Sequence, residues 1–173
     1  MKRTLNKLVA LVWLLALAAP LPALAYEKYG NIPPDGPFHL WLGINEFMPL
    51  LTANSSKARA IRAVKAKRFR GKTPGAVLGN VVRFRNKLNR VLAKYRLDKT
   101  REFRSPTGEK VSPSIVYINA GHVYDSVVGV LLEANPKNQT YREIFLIPYP
   151  KGKTPSDVFE LVDLAIRKLD LLL

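Results

Sequence analysis

The sequence contains no cysteine. Disulfides, thiolate metal sites and lipid attachment through a cysteine are therefore excluded, and a fold sent to an oxidising compartment has to rely on its core alone. Histidine is almost as scarce: His39 and His122 are the only two, and no HExxH, DxD or His-rich cluster accompanies them. No Ser-His-acid order, Gly-rich phosphate loop or paired-carboxylate signature stands out, so no catalytic residues, metal or cofactor are expected. Beyond residue 25, no continuous apolar run reaches the ~20 residues that a membrane-spanning helix needs.

Acidic residues are missing from one region in particular. Between Lys57 and Arg101 there are sixteen Lys or Arg and one acid, Asp98, whereas the rest of the chain after residue 25 has nine basic and twelve acidic residues. The formal net charge of +15 is thus concentrated in one region.

At the start of the chain, Lys2, Arg3 and Lys7 precede an apolar run from Leu8 to Ala19, and Ala23-Leu24-Ala25 supplies small residues. This order reads as a signal peptide cleaved after Ala25, giving an exported protein, periplasmic or secreted. An uncleaved anchor is the rival reading, but the run is short and is broken by Pro20 and Pro22. Residues 26–173 then make a single mature domain, and a 47% hydrophobic chain has enough apolar material for one core.

Gly152-Lys153-Thr154-Pro155 repeats Gly71-Lys72-Thr73-Pro74, and in each the Thr-Pro step suits a helix start. The threonine hydroxyl accepts from a free backbone N–H, and proline fits the first helical position because its missing N–H would have had no partner. Apolar spacing predicts four helices: from Pro37 to about Leu51, with Pro49 shortening the last turn; from Pro74 to Arg96; from Asn119 to Asn135; and from Pro155 to about Leu173. Aligning Gly36, Thr73, Asn119 and Thr154 as caps puts Leu40, Val77, Val123 and Val158 in one column and Ile44, Val81, Val127 and Val162 in another. The expected fold is mainly α, a duplicated helical hairpin forming a four-helix arrangement, with pseudo-repeat halves about 26–97 and 98–173 and long, partly extended linkers. Ile115-Val116-Tyr117-Ile118 and the stretch from Arg142 to Tyr149 are strand candidates, so the alternative is an α+β fold with a small sheet.

The candidate binding surface is basic. Arg83, Lys87, Arg90 and Lys94 share one face of the second helix, and Lys57, Arg59, Arg62, Lys65, Lys67, Arg68 and Arg70 precede it. Arg85 stands where the alignment puts Met48, Leu131 and Ile166, so it pairs with a neighbouring acid, snorkels, or meets a ligand anion. Such a surface attracts anionic lipid, glycan or an acidic protein, with nucleic acid the weaker choice because aromatic interleaving is sparse. Leu164 and Leu171 widen the apolar arc of the last helix and suggest a homodimer. His39 and His122 fall in equivalent columns, the weak candidates for a metal pair or a small periplasmic hydrolase; local packing in the first helical turn is the plainer reading. The reading favoured by the sequence is an exported, non-enzymatic binding or adaptor protein, with the hydrolase and an extracellular nucleic-acid-binding protein as alternatives.

Overall fold

The computed structural model describes residues 32–104, 110–137 and 147–173, which belong to one compact unit. The expected signal peptide and most of the Arg142–Tyr149 strand candidate lie outside the described residues. Among the described residues the chain is mainly helical and has no strand.

Four long helices, α1 (Asp35–Phe47), α3 (Pro74–Lys94), α4 (Pro113–Ala134) and α5 (Pro155–Asp170), form the core, and a short α2 (Ser55–Ala63) follows the 3-10 turn Met48–Leu50. α1 packs on α4 and α5, and α3 packs on the same two helices, so the four make a closed ring. Their starts converge on a small apolar cavity lined by each starting proline and the residue three further on: Pro34 and Pro37, Pro74 and Val77, Pro113 and Val116, Pro155 and Val158. All four helices therefore run the same way. The expected antiparallel hairpins are not formed.

Counted from these prolines, the core falls into register. Seven residues on stand Trp41, Val81, Ala120 and Val162; ten on, Ile44, Phe84, Val123 and Ala165; fourteen on, Met48, Leu88, Val127 and Leu169. All twelve are buried, in the alternating three-and-four spacing of helices that pack side by side. Trp41 meets Phe84 edge to face, with ring centroids 5.1 Å apart.

Two predicted starts move. α1 begins at Pro34-Asp35 rather than Gly36-Pro37, and α4 begins at Ser112-Pro113 rather than Asn119, with the Ser112 hydroxyl accepting from Ile115 N. Ile115–Ile118 is thus helical and not a strand; burial of Ile115 and Val116 outweighs the β preference of branched residues. With its true start, α4 has 22 residues and is long and apolar enough to cross a membrane by length and composition, contrary to expectation, although half of its apolar window is buried inside the bundle.

Parallel helices need return segments, and among the described residues parts of these, such as 64–73 and 98–104, run along the helices as extended straps. An extended strap has no helical or sheet partner for its backbone, so polar side chains on the helices supply one. Phe69 N donates to Glu160 (3.0 Å), Lys72 N to Ser156 Oγ (3.0 Å) and Thr100 N to Asn89 (2.9 Å). Asn119 takes Phe103 N and gives its own Nδ2 to Phe103 O, as a neighbouring strand would.

At the top, the straps dock by one rule. At three of the four seams, the residue two before the helix-start proline donates its N–H to the side chain one after the proline of the next helix round the ring. Ile32 thus bonds Ser114 of α4, Lys72 bonds Ser156 of α5, and Lys153 bonds Asp35 of α1. The ammoniums of Lys72 and Lys153 each lie 4.7 Å from a ring on that same neighbour, Phe159 and Phe38. Gly71 and Gly152, at φ of +65° and +70°, turn the chain just before, a conformation that glycine adopts without a Cβ clash. At the fourth seam, between Val111 and α3, the accepting position is Gly75, which has no side chain to offer.

The foot of α1 needs a different repair. Pro49 lacks the N–H that would have bonded Asn45 O in an unbroken helix. Lys168 Nζ takes that carbonyl at 3.0 Å, although Lys168 is only 8% exposed. Burial lowers the pKa of this ammonium, with Glu46 opposing and Arg167 adding to the effect.

Two tests follow from these contacts. Lys168→Met leaves Asn45 O without a donor and lowers stability by about 1–3 kcal/mol; in a Pro49→Ala background, which restores an N–H, the loss shrinks, as read by denaturant titration. Equal losses in both backgrounds refute the link. Gly75→Ser completes the fourth seam and stabilises by about 1 kcal/mol, at least matching Gly75→Ala although serine is the poorer helix former. A serine variant no more stable than glycine shows that Val111 N does not reach it.

Candidate anion-binding face

The basic region of the sequence spans three elements. Asn54 caps α2 by accepting from Ser56 N and Lys57 N, and α2 buries Ala58 and Ile61 while exposing Lys57, Arg59 and Arg62. The strap from Val64 to Thr73 then rises along α5. Glu160 and Ser156 hold its backbone N–H groups, Arg167 donates to Lys65 O at 2.9 Å, and Phe69 packs edge-on against Phe159 at 4.9 Å. Held there by its backbone and one aromatic ring, the strap exposes Lys65, Lys67, Arg68 and Arg70.

The third contribution comes from α3. Ser156, Glu160, Asp163, Arg167 and Asp170 fall on one face of α5 at helical spacing, the face that carries the strap. Lys87 of α3 makes an ion pair with Asp170 on that face. Arg83, Arg90 and Lys94 share the Lys87 side of α3 and are exposed, so their row runs beside α5 as the strap does.

Two of the expected cations are therefore internally neutralised. Lys87 is committed to Asp170, and Arg85, whose side chain is 9% exposed, pairs with Glu102 at 3.2 Å. With the observed helix starts, the counterparts of Arg85 are Asn45, Tyr124 and Ile166, so it is not the lone polar intruder of an apolar column. The other ten (Lys57, Arg59, Arg62, Lys65, Lys67, Arg68, Arg70, Arg83, Arg90 and Lys94) are exposed, and among the described residues none has a carboxylate within ion-pair distance.

A groove of about 610 Å³ lies between the strap at Arg68–Lys72 and the first turn of α5. Its two acids are occupied: Glu160 accepts from Phe69 N, and Asp157 closes a capping box with Thr154. Hydrogen bonds from the Thr154 hydroxyl and backbone hold Asp157 below its ordinary pKa.

The remaining candidates separate. His39 packs on Tyr149, centroids 5.4 Å apart, whereas His122 lines a different groove of about 480 Å³ with Asp98, Lys99, Arg101, Asp125 and Ser126. The two histidines sit five and nine residues past their helix-start prolines, so their apparent equivalence came from the misplaced starts. Ser126 Oγ donates to the backbone carbonyl of His122 and not to its ring. Among the described residues no group of three His, Cys, Asp or Glu gathers for a metal. Leu164 is buried, so the broad apolar arc of α5 is largely used inside the fold; Leu171 is 40% exposed.

The anchors that sequence reasoning missed are Asn45, Asn89, Asn119 and Lys168. Their signal was a polar residue interrupting a helical pattern, and Asn119 was instead read as a cap.

Burial raises the pKa of Glu102, but the charges and hydrogen bonds of Arg85 and Arg104 outweigh it and leave the carboxyl below its ordinary 4.5. A depressed carboxyl pKa stabilises the fold above the unfolded value, and that stability is lost as pH falls through the folded one. The pair is thus intact above about pH 4.5. Glu102→Gln should lower the melting temperature at neutral pH and flatten the loss of stability below pH 4.5; an unchanged acid limb would exclude the pair as its source. No protein-family model, curated protein or solved structure matches this chain.

Proposed function

We propose that the chain is an exported, non-catalytic binding or adaptor protein that holds an anionic partner against the basic surface formed by α2, the 64–73 strap and α3. The observation that carries this reading is the set of ten exposed cations with no carboxylate in reach among the described residues. Solvated cations on a fold are normally interspersed with acids; an uncompensated set makes a positive field that steers and retains polyanions. Export rests on the basic and apolar leader with its small-residue site.

The hydrolase alternative required His39 and His122 to act together, and their placement on separate surfaces weighs against it. Self-association through Leu164 and Leu171 loses one of its two residues to the core. We also read the four helix-and-strap units, whose prolines lie 40, 39 and 42 residues apart, as copies of one ancestral unit in place of two copies of a hairpin.

Arg83→Glu, Arg90→Glu and Lys94→Glu together spare the Lys87–Asp170 pair and should leave the melting temperature nearly unchanged. They should weaken capture of anionic material from an envelope extract by about tenfold or more at low salt, and raising salt should weaken capture by the unmodified protein in the same way. Capture indifferent to both changes refutes the proposal.

A further inference from the structure

Resting on that reading, we infer that the anionic partner is a linear acidic polysaccharide, its carboxylates or sulfates held by the side chains of the strap and α3. The argument turns on what accompanies the charges.

A single-stranded nucleic acid is gripped by stacking its bases on aromatic faces as well as by charge. The basic surface has two phenylalanines, and both are used internally: Phe69 against Phe159, and Phe84, fully buried, against Trp41. A protein partner needs a desolvated core of aromatic or aliphatic anchors, with lysine kept to the rim. A membrane surface is joined most firmly when apolar side chains enter it beside the cations. The large apolar side chains exposed among the described residues are Leu132, Tyr149 and Leu171, and none of them belongs to α2, the strap or α3. The surface offers charge and almost nothing else.

Spacing narrows the choice. Along α3 the free cations Arg83, Arg90 and Lys94 are seven and four residues apart, which at 1.5 Å per residue is roughly 6–10 Å between charges. The strap from Lys65 to Arg70 spans about 17 Å when extended. Duplex nucleic acid presents about one charge every 1.7 Å of axis and is usually read by an element that enters a groove. Here the strap lies flat against α5, held at Lys65, Phe69 and Lys72, and α3 is packed into the bundle, so neither projects. A flexible chain with one anion per sugar or two, rich in hydroxyls and free of stacking bases, suits a sparse double row of cations. The guanidinium forks of Arg68, Arg70, Arg83 and Arg90 match carboxylate and sulfate geometry.

The test measures binding of the protein to polygalacturonate and to heparin, as carboxylate and sulfate probes. Single-stranded oligothymidylate, sheared duplex DNA and phosphatidylglycerol vesicles are measured under the same salt. Affinity for at least one polysaccharide about tenfold above that for the nucleic acids and vesicles supports the inference. Replacing Lys65, Lys67, Arg68 and Arg70 by Gln should reduce that affinity about tenfold or more with the melting temperature retained. Tighter binding of DNA or vesicles overturns the polysaccharide inference and leaves the anion-binding proposal standing; absence of salt-dependent binding to every probe overturns both. Polysaccharide binding unaffected by the four Gln changes would also overturn the inference, since it would place the ligand elsewhere.

Discussion

The arrangement depends on one constraint: a chain whose long helices all run the same way must return, after each, by the length of the bundle. α3, with 21 residues, is about 32 Å long, and an extended segment needs about ten residues to climb that far. The climbing backbone carries donors and acceptors that no helix or sheet satisfies. Asn89, Asn119, Ser114, Ser156, Asp35 and Glu160 are polar residues placed on helices to receive backbone groups of these segments, while Asn45 ties α1 to α5 by donating to Leu161 O. The basic surface is a product of the same geometry, since the strap is held by its main chain, Phe69 and Lys72, which leaves Lys65, Lys67, Arg68 and Arg70 unengaged.

Parallel packing also aligns the helix dipoles, which add instead of cancelling. The sequence answers at both ends. Asp35 and Asp157 sit in first turns, where negative charge is favoured, and Lys94, Arg167 and Lys168 in last turns, where positive charge is. The four starting prolines close the top with apolar surface and without N–H groups that would need partners. Gly-Lys-Thr-Pro condenses the local solution into four residues: the turn, the strap contact to the neighbouring helix, the cap and the first helical position.

Much of the core was legible from apolar spacing, even where helix starts were misjudged. Shifting the register of α1 by three residues, from Pro37 to Pro34, or that of α4 by seven, from Ala120 to Pro113, stays on the same stripe, so Ile44, Met48, Val123 and Val127 emerge as core from either register. Direction was not legible in that way, because an apolar stripe is the same whether its partner runs parallel or antiparallel. Linker length was the available clue, since hairpin loops do not need some twenty residues. Of the basic surface, residue type and exposure were readable for ten of the twelve cations. The commitments of Arg85 and Lys87 were not, because Glu102 and Asp170 lie 17 and 83 residues away and are brought close only by a strap and by the ring order.

That ring order has a kinetic side. α1 and α3 meet across the core at Trp41 and Phe84 but pack mainly on α4 and α5, so two of the four seams of the ring, α1–α5 and α3–α5, must wait until α5 has been made. Contacts between segments distant in sequence form slowly, because the intervening chain has to be closed first. A hairpin protein could bury a full helix–helix seam as soon as its second helix is made; here α1 and α3 share no seam of the ring. If the chain is exported, as proposed, delayed closure keeps the polypeptide extended and threadable for longer before a locked bundle forms.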